Sequence, residues 1–237
     1  IGFFFFSIFS SLVYIINDLN DLKEDRLHIT KKYVKPLANK EISIQFALIV
    51  IFIIFSILLF NIFINFDYFK IPITYFLTSI FYIFFVRKIP YLDIIIISFG
   101  YNLRVMFGSF LIDVQTSIIM HLTIFSLALF IISLKRLKEI NIISSARKSL
   151  SLYKKNYINY INIFCIFSTF FLYLIYVFDK KLDLILSTPF VVISLLRFRF
   201  ISIKKQEDEN PIDIFFSDRL IIISSILYLI VLLFVYK

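Results

Sequence analysis

The chain has 237 residues, 60% of them hydrophobic and 17% charged, with a formal net charge of +9. Its mean hydropathy of +0.93 excludes a water-soluble globular domain, and its continuous, non-alternating apolar runs exclude a transmembrane barrel. The single cysteine, Cys165, excludes a disulfide framework and a thiolate cluster, and positive charge on so apolar a chain points to anionic lipid or substrate, with no nucleic acid.

The first predicted element is the apolar run 1–16, which lacks the basic leader and small-residue cleavage site of a signal peptide. Seven further runs follow, at roughly 45–64, 71–86, 91–112, 117–134, 158–178, 182–198 and 219–236. Eight such spans predict an all-α, polytopic transmembrane helix bundle, read as one domain over residues 1–237. The loops after the odd-numbered spans carry the basic residues. Lys70, Lys180, Lys181, Lys237 and the mid-span Arg104 are the five exceptions among 25, leaving 20 on one face. The positive-inside rule makes that face cytoplasmic.

At the end of the first run stands Asn17-Asp18-x-x-Asp21-x-x-x-Asp25-Arg26. In a helix, at about 100° per residue, Asp18, Asp21 and Asp25 fall within roughly 60° of one another. Three carboxylates on one face repel unless a cation neutralises them. Hard oxygen ligands at the mouth of a membrane helix suit Mg²⁺ carrying a diphosphate. The competing reading is a solvated acidic helix end, partly paired with Lys23 and Arg26.

Further along, Arg87 and Lys88 precede Pro90 and Asp93, and read as flanking charges of a span. Arg104 lies deep in the fourth span, in Gly100-Tyr-Asn-Leu-Arg104-x-x-x-Gly108. An intramembrane Arg needs a polar cavity or an acid, and Asp93, eleven residues away, is about 16 Å distant along a straight helix. The fifth span closes on Lys135-Arg136-x-x-Glu139, and Arg147-Lys148 follows. His121 falls near the opposite face and reads as a packing residue, while His28 sits in the loop after the acidic helix.

Asn17 to Ala38 resembles the first Asp-rich motif of the UbiA-type polyprenyl transferase superfamily. More narrowly, the chain resembles its decaprenyl-phosphate phosphoribosyltransferase branch. Tyr82–Asp93, Gly100–Gly108, Leu134–Glu139, Arg147–Tyr153, Pro189–Phe200 and Pro211–Leu220 resemble successive branch features in order. The sequence departs from the branch pattern at Ile29 for Pro, Lys35 for Arg, Lys40 for Gly, Ile83 for Ser and Arg87 for Lys. The resemblance implies a nine-span fold with one helix ahead of Ile1, so that the chain reads as N-terminally truncated. Typical members carry a second Asp-rich motif where this chain has Lys135-Arg136-x-x-Glu139.

The resemblance therefore implies phosphoribosyl pyrophosphate as donor and polyprenyl phosphate as acceptor. Asp18, Asp21 and Asp25 are the expected Mg²⁺ ligands, and Lys135 and Arg136 the catalytic cations. Asn17, Arg26, Lys31, Arg104, Glu139 and Arg147 are the expected contacts of substrate phosphate. Two rival functions remain at this level: prenyl transfer from a polyprenyl diphosphate to an aromatic or other acceptor, and non-catalytic binding of lipid phosphate.

Overall fold

A computed structural model describes residues 2–27, 31–64, 66–141, 152–204 and 211–236, which are mostly helical with no strand among them. The order is α1 (Gly2–Asn20), α2 (Leu22–Leu27), α3 (Lys31–Val34), α4 (Ile44–Ile64), α5 (Phe66–Phe84) and α6 (Leu92–Leu111). Then come α7 (Ile118–Asn141), α8 (Lys155–Lys180), α9 (Thr188–Lys204), α10 (Pro211–Ser217) and α11 (Arg219–Val235). Short 3₁₀ turns at Val86–Lys88 and Leu182–Ser187 lead into α6 and α9.

The expected all-α membrane bundle is what forms. Helix keeps every backbone hydrogen bond inside the segment, which lipid requires. Among the described residues, six helices are long and apolar enough to cross a membrane: Phe3–Asn20, Ile44–Ile64, Leu92–Leu111, Ile118–Ile140, Lys155–Lys180 and Leu182–Lys204. The other two expected spans are weaker. Helix α11 is apolar but has only 17 residues. Helix α5 opens with Asp67 and Lys70, ion-paired at 2.6 Å, which dilute its apolar character.

The helices group into two compact units, one ending at Gln115 and the other starting at Thr116. In the first, α1 packs on α4, α5 and α6, and α5 pairs with α6. Phe9 and Leu12 pack with Leu58 and Phe69, while Val13, one position round the helix, packs with Tyr75, Ile83 and Leu103. Outward residues stay apolar, with Phe52 71% and Phe63 91% exposed. Such a surface suits lipid and would be costly in water.

In the second unit α7 lies along α8, and α11 along α9. Its core is Phe130, Leu134, Cys165, Ile166, Leu195, Phe198, Ile201, Ile214 and Ile221. Polar ties cross this core. Thr169 donates to Ser126 at 2.9 Å, and Ser126 to the Cys165 carbonyl at 3.2 Å. Asn162, fully buried, donates to the Phe130 carbonyl at 3.0 Å and to Ser133 at 2.8 Å. Arg199 donates to both Asn162 and Asn159. In lipid these interhelical bonds add specificity that the hydrophobic effect cannot supply.

Candidate active site

The acidic motif keeps helical register through the break after α1. The Asp21 amide donates to the Asn17 carbonyl, and the Asp25 amide to the Asp21 carbonyl, each at 2.9 Å. That spacing brings Asp18 and Asp25 together. Lys35 stands between them, its Nζ 2.6 Å from Asp18 Oδ1 and 2.6 Å from Asp25 Oδ2. Asp25 is buried and Asp18 partly so. Burial opposes the Lys35 charge, but the hydrogen bonds and charges of Asp18 and Asp25 more than offset it and raise its pKa.

Lys35 is placed by a compact turn. The amides of Ala38 and Asn39 donate to the Lys35 carbonyl at 2.9 and 3.0 Å, and that of Ile42 to the Pro36 carbonyl at 3.1 Å. Lys40 closes this turn at φ 68°, the left-handed region that favours glycine. That would be the physical sense of a Gly here, as in the branch pattern that the sequence resembles. Ser43 then accepts from the Phe46 amide at 3.1 Å and caps α4.

Asp21 faces a different cation. The Arg87 guanidinium, in the turn between α5 and α6, pairs with Asp21 and reaches Glu24 at 3.5 Å. The Asp21 side chain is buried and that of Arg87 largely enclosed, with exposures of 3% and 10%. The expectation that Arg87 is an ordinary flanking charge is therefore corrected: a solvated flank would not be so enclosed. Asp93, also buried, lies in the first turn of α6 and accepts from the Ile94 amide at 2.8 Å. A carboxylate there suits the helix dipole.

Arg104 sits among aromatic residues of the same unit. It donates to the Tyr75 hydroxyl at 2.9 Å, and the Tyr14 hydroxyl of α1 also interacts with it. Its guanidinium lies 5.3 Å from the Tyr75 ring, 5.4 Å from Tyr101 and 5.8 Å from Phe6. Its Nε is buried without a hydrogen-bond partner. Tyr14 precedes Asp18 by one helical turn, so Arg104 lies one turn deeper than the first motif acid.

In the second unit the end of α7 places Arg136 in the interior, 5% exposed, where it pairs with Glu139. Lys135 is exposed, whereas Lys138, not singled out by the sequence, is buried. Its signal lay in the spacing Leu134-x-x-Leu137-Lys138, which puts it on the face of two buried leucines. The Asn162 bonds to Phe130 and Ser133 grip α7 one turn earlier.

Asn17 is half-buried and Arg26 exposed at the rim of the first unit. His28 and Arg147 lie outside the described residues, as does the side chain of Lys31. His121 meets Thr116 at 2.7 Å at the start of α7, the end of that helix away from Lys135 and Arg136.

No group of three His, Cys, Asp or Glu is gathered as a metal cage among the described residues. Mg²⁺ does not require one, because it takes one or two carboxylates and completes its shell with phosphate and water. Asp18 and Asp25 meet that demand, since their oxygens converge on one positive centre, the Lys35 ammonium.

No curated protein matches the chain. The family model described as the UbiA prenyltransferase family matches residues 1–226, nearly the whole sequence, with the paired acids of α1 and α2 inside the match. This integral membrane chain therefore belongs to the UbiA prenyltransferase family.

Proposed function

We propose that the chain moves 5-phosphoribose from phosphoribosyl pyrophosphate to a polyprenyl phosphate, such as decaprenyl phosphate, with release of pyrophosphate, in cell-envelope polysaccharide synthesis. The observation that carries this reading is the end of α7. There Lys135, Arg136 and Lys138 stand with a single acid, Glu139, and that acid is ion-paired with Arg136. A prenyltransferase with two Asp-rich motifs presents further carboxylates at this place. A turn rich in cations suits a phosphorylated partner instead.

Asp18 and Asp25, with Asp21 between them, would hold Mg²⁺, which when bound neutralises and orients the pyrophosphate leaving group. A lipid phosphate oxygen, anionic at neutral pH, attacks ribose C1 and needs no general base. The C1–O bond to the lipid phosphate forms as the C1–O bond to pyrophosphate breaks. Lys135 and Arg136 stabilise phosphate charge, with Asn17, Arg26, Lys31, Arg104, Glu139 and Arg147 as further contacts. The distribution of Lys and Arg supports a site facing the cytoplasm.

Membranes containing the chain, given ribose-labelled phosphoribosyl pyrophosphate and polyprenyl phosphate, should yield label in the organic extract and one pyrophosphate per transfer. Transfer of a labelled prenyl group to an aromatic acid, with no ribose in the lipid fraction, would install prenyl transfer as the function.

A further inference from the structure

Lys35 holds an unusual place. One ammonium bridges the outer two acids of the motif at 2.6 Å each, while the middle acid is taken by a different cation, Arg87. An ammonium is a compact point charge with three donors, so it can serve two carboxylates from two directions. A guanidinium in its place would fork onto one of them. Within this ion-paired set Asp18, Asp21, Glu24 and Asp25 face Lys35 and Arg87.

We infer that Lys35 is an exchangeable internal counter-ion, which holds Asp18 and Asp25 together and gives up both carboxylates when a divalent cation binds. This rests on the metal reading of the acidic motif given above. Two acids that would otherwise repel are kept in register by the tethered ammonium, so the site is preformed. The turn that carries Lys35 is anchored by its own backbone hydrogen bonds, so the side chain can swing away without unfolding the loop. The released ammonium then adds positive charge beside the metal, where an anionic donor arrives. Lys35 is thus a positioning residue whose competition with metal sets the metal affinity of the site.

The test uses the full chain in detergent and Mn²⁺ alone as probe, without substrate. Lys35→Met should bind Mn²⁺ about tenfold or more tightly than the wild type, the factor that corresponds to losing a charge-assisted competitor. In the wild type, the rate at which a small acylating reagent labels Lys35 should rise severalfold on adding Mn²⁺, and this rise should vanish in Asp18→Asn. This labelling arm decides the matter if Lys35→Met does not fold. If Asp18→Asn loses Mn²⁺ while Lys35→Met binds no tighter than the wild type, or Lys35 labelling does not respond to bound Mn²⁺, the counter-ion role is wrong and the metal site stands. If neither the wild type nor Lys35→Met binds Mn²⁺, both readings fall.

Discussion

Arg87 pairs with Asp21, a residue 66 positions earlier in the chain, the acid buried and the guanidinium largely enclosed. The pair ties the turn before α6 to the acidic end of α1. Breaking a buried pair from one side leaves an ion in the interior, which typically costs about 3–5 kcal/mol. Arg87→Ala should therefore destabilise the protein by several kcal/mol. Asp21→Asn combined with Arg87→Ala should cost clearly less than the sum of the two single changes. Thermal unfolding of the four proteins in one detergent checks this, and strict additivity would show the contact to be energetically idle.

Asp18→Asn should abolish turnover while the protein remains folded and extractable. The change keeps shape and removes a hard anionic ligand. Near-normal activity in excess Mg²⁺ would show that Asp18 is not part of the reacting site.

Arg104→Lys keeps the charge but loses the planar guanidinium that lies against Tyr75, Tyr101 and Phe6. Losing one charge-assisted contact to a substrate phosphate is worth roughly 1.5–3 kcal/mol, or about 10- to 150-fold in that substrate's Kd. Tyr75→Phe removes only the hydroxyl that accepts from Arg104 and should give a smaller loss of the same kind. Substrate titrations distinguish this from a packing role, in which both variants lower stability and leave substrate affinity intact.

Lys40 stands at φ 68° in the turn that presents Lys35. A left-handed backbone costs a residue with a Cβ about 1–2 kcal/mol, and glycine largely escapes this. Lys40→Gly should raise stability by about 1 kcal/mol, although it gives back some unfolded-state entropy. A lower unfolding temperature for this variant would contradict the strain.

Asp218 caps α11, accepting from the Leu220 and Ile221 amides at 3.1 Å each, and it also accepts from Arg197. The Arg197 hydrogen bond holds its carboxyl below the usual value of 3.8. A depressed carboxylate pKa stabilises the fold above the unfolded value, and that stability disappears as pH falls through the native one. Asp218→Ala should cost about 1–2 kcal/mol at neutral pH through the lost cap. Asp218→Asn should retain the cap and lose the acid sensitivity below about pH 4. Unfolding measured at neutral pH and at pH 3 separates the two.

Much of this was legible in the sequence. Apolar runs of about 20 residues mark their own boundaries, because lipid tolerates no open backbone. The helical proximity of Asp18 and Asp25 followed from spacing alone. What spacing could not show was which cation each acid would meet. Lys35 is separated from Asp25 by the short α3, and Arg87 from Asp21 by α2 to α5, and nothing in local periodicity encodes such pairings. Arg87 in particular looked like one more charge of a basic flank, and only its enclosed pairing with Asp21 distinguishes it. Lys138 was hidden in the same way, among neighbours more conspicuous by motif. The aromatic surround of Arg104 came from three helices at once and left no linear trace.

The order in which these cations appear has a consequence for biosynthesis. Lys35 follows Asp25 by only ten residues, so the outer acids meet their ammonium almost as soon as they are made. Asp21 must wait for Arg87, another 52 residues on, counting from Lys35. At 5–20 residues per second that is roughly 3–10 s, during which α4 and α5 are threaded into the bilayer. The acidic end of α1 is therefore completed in two stages, and its middle carboxylate spends the interval without its guanidinium.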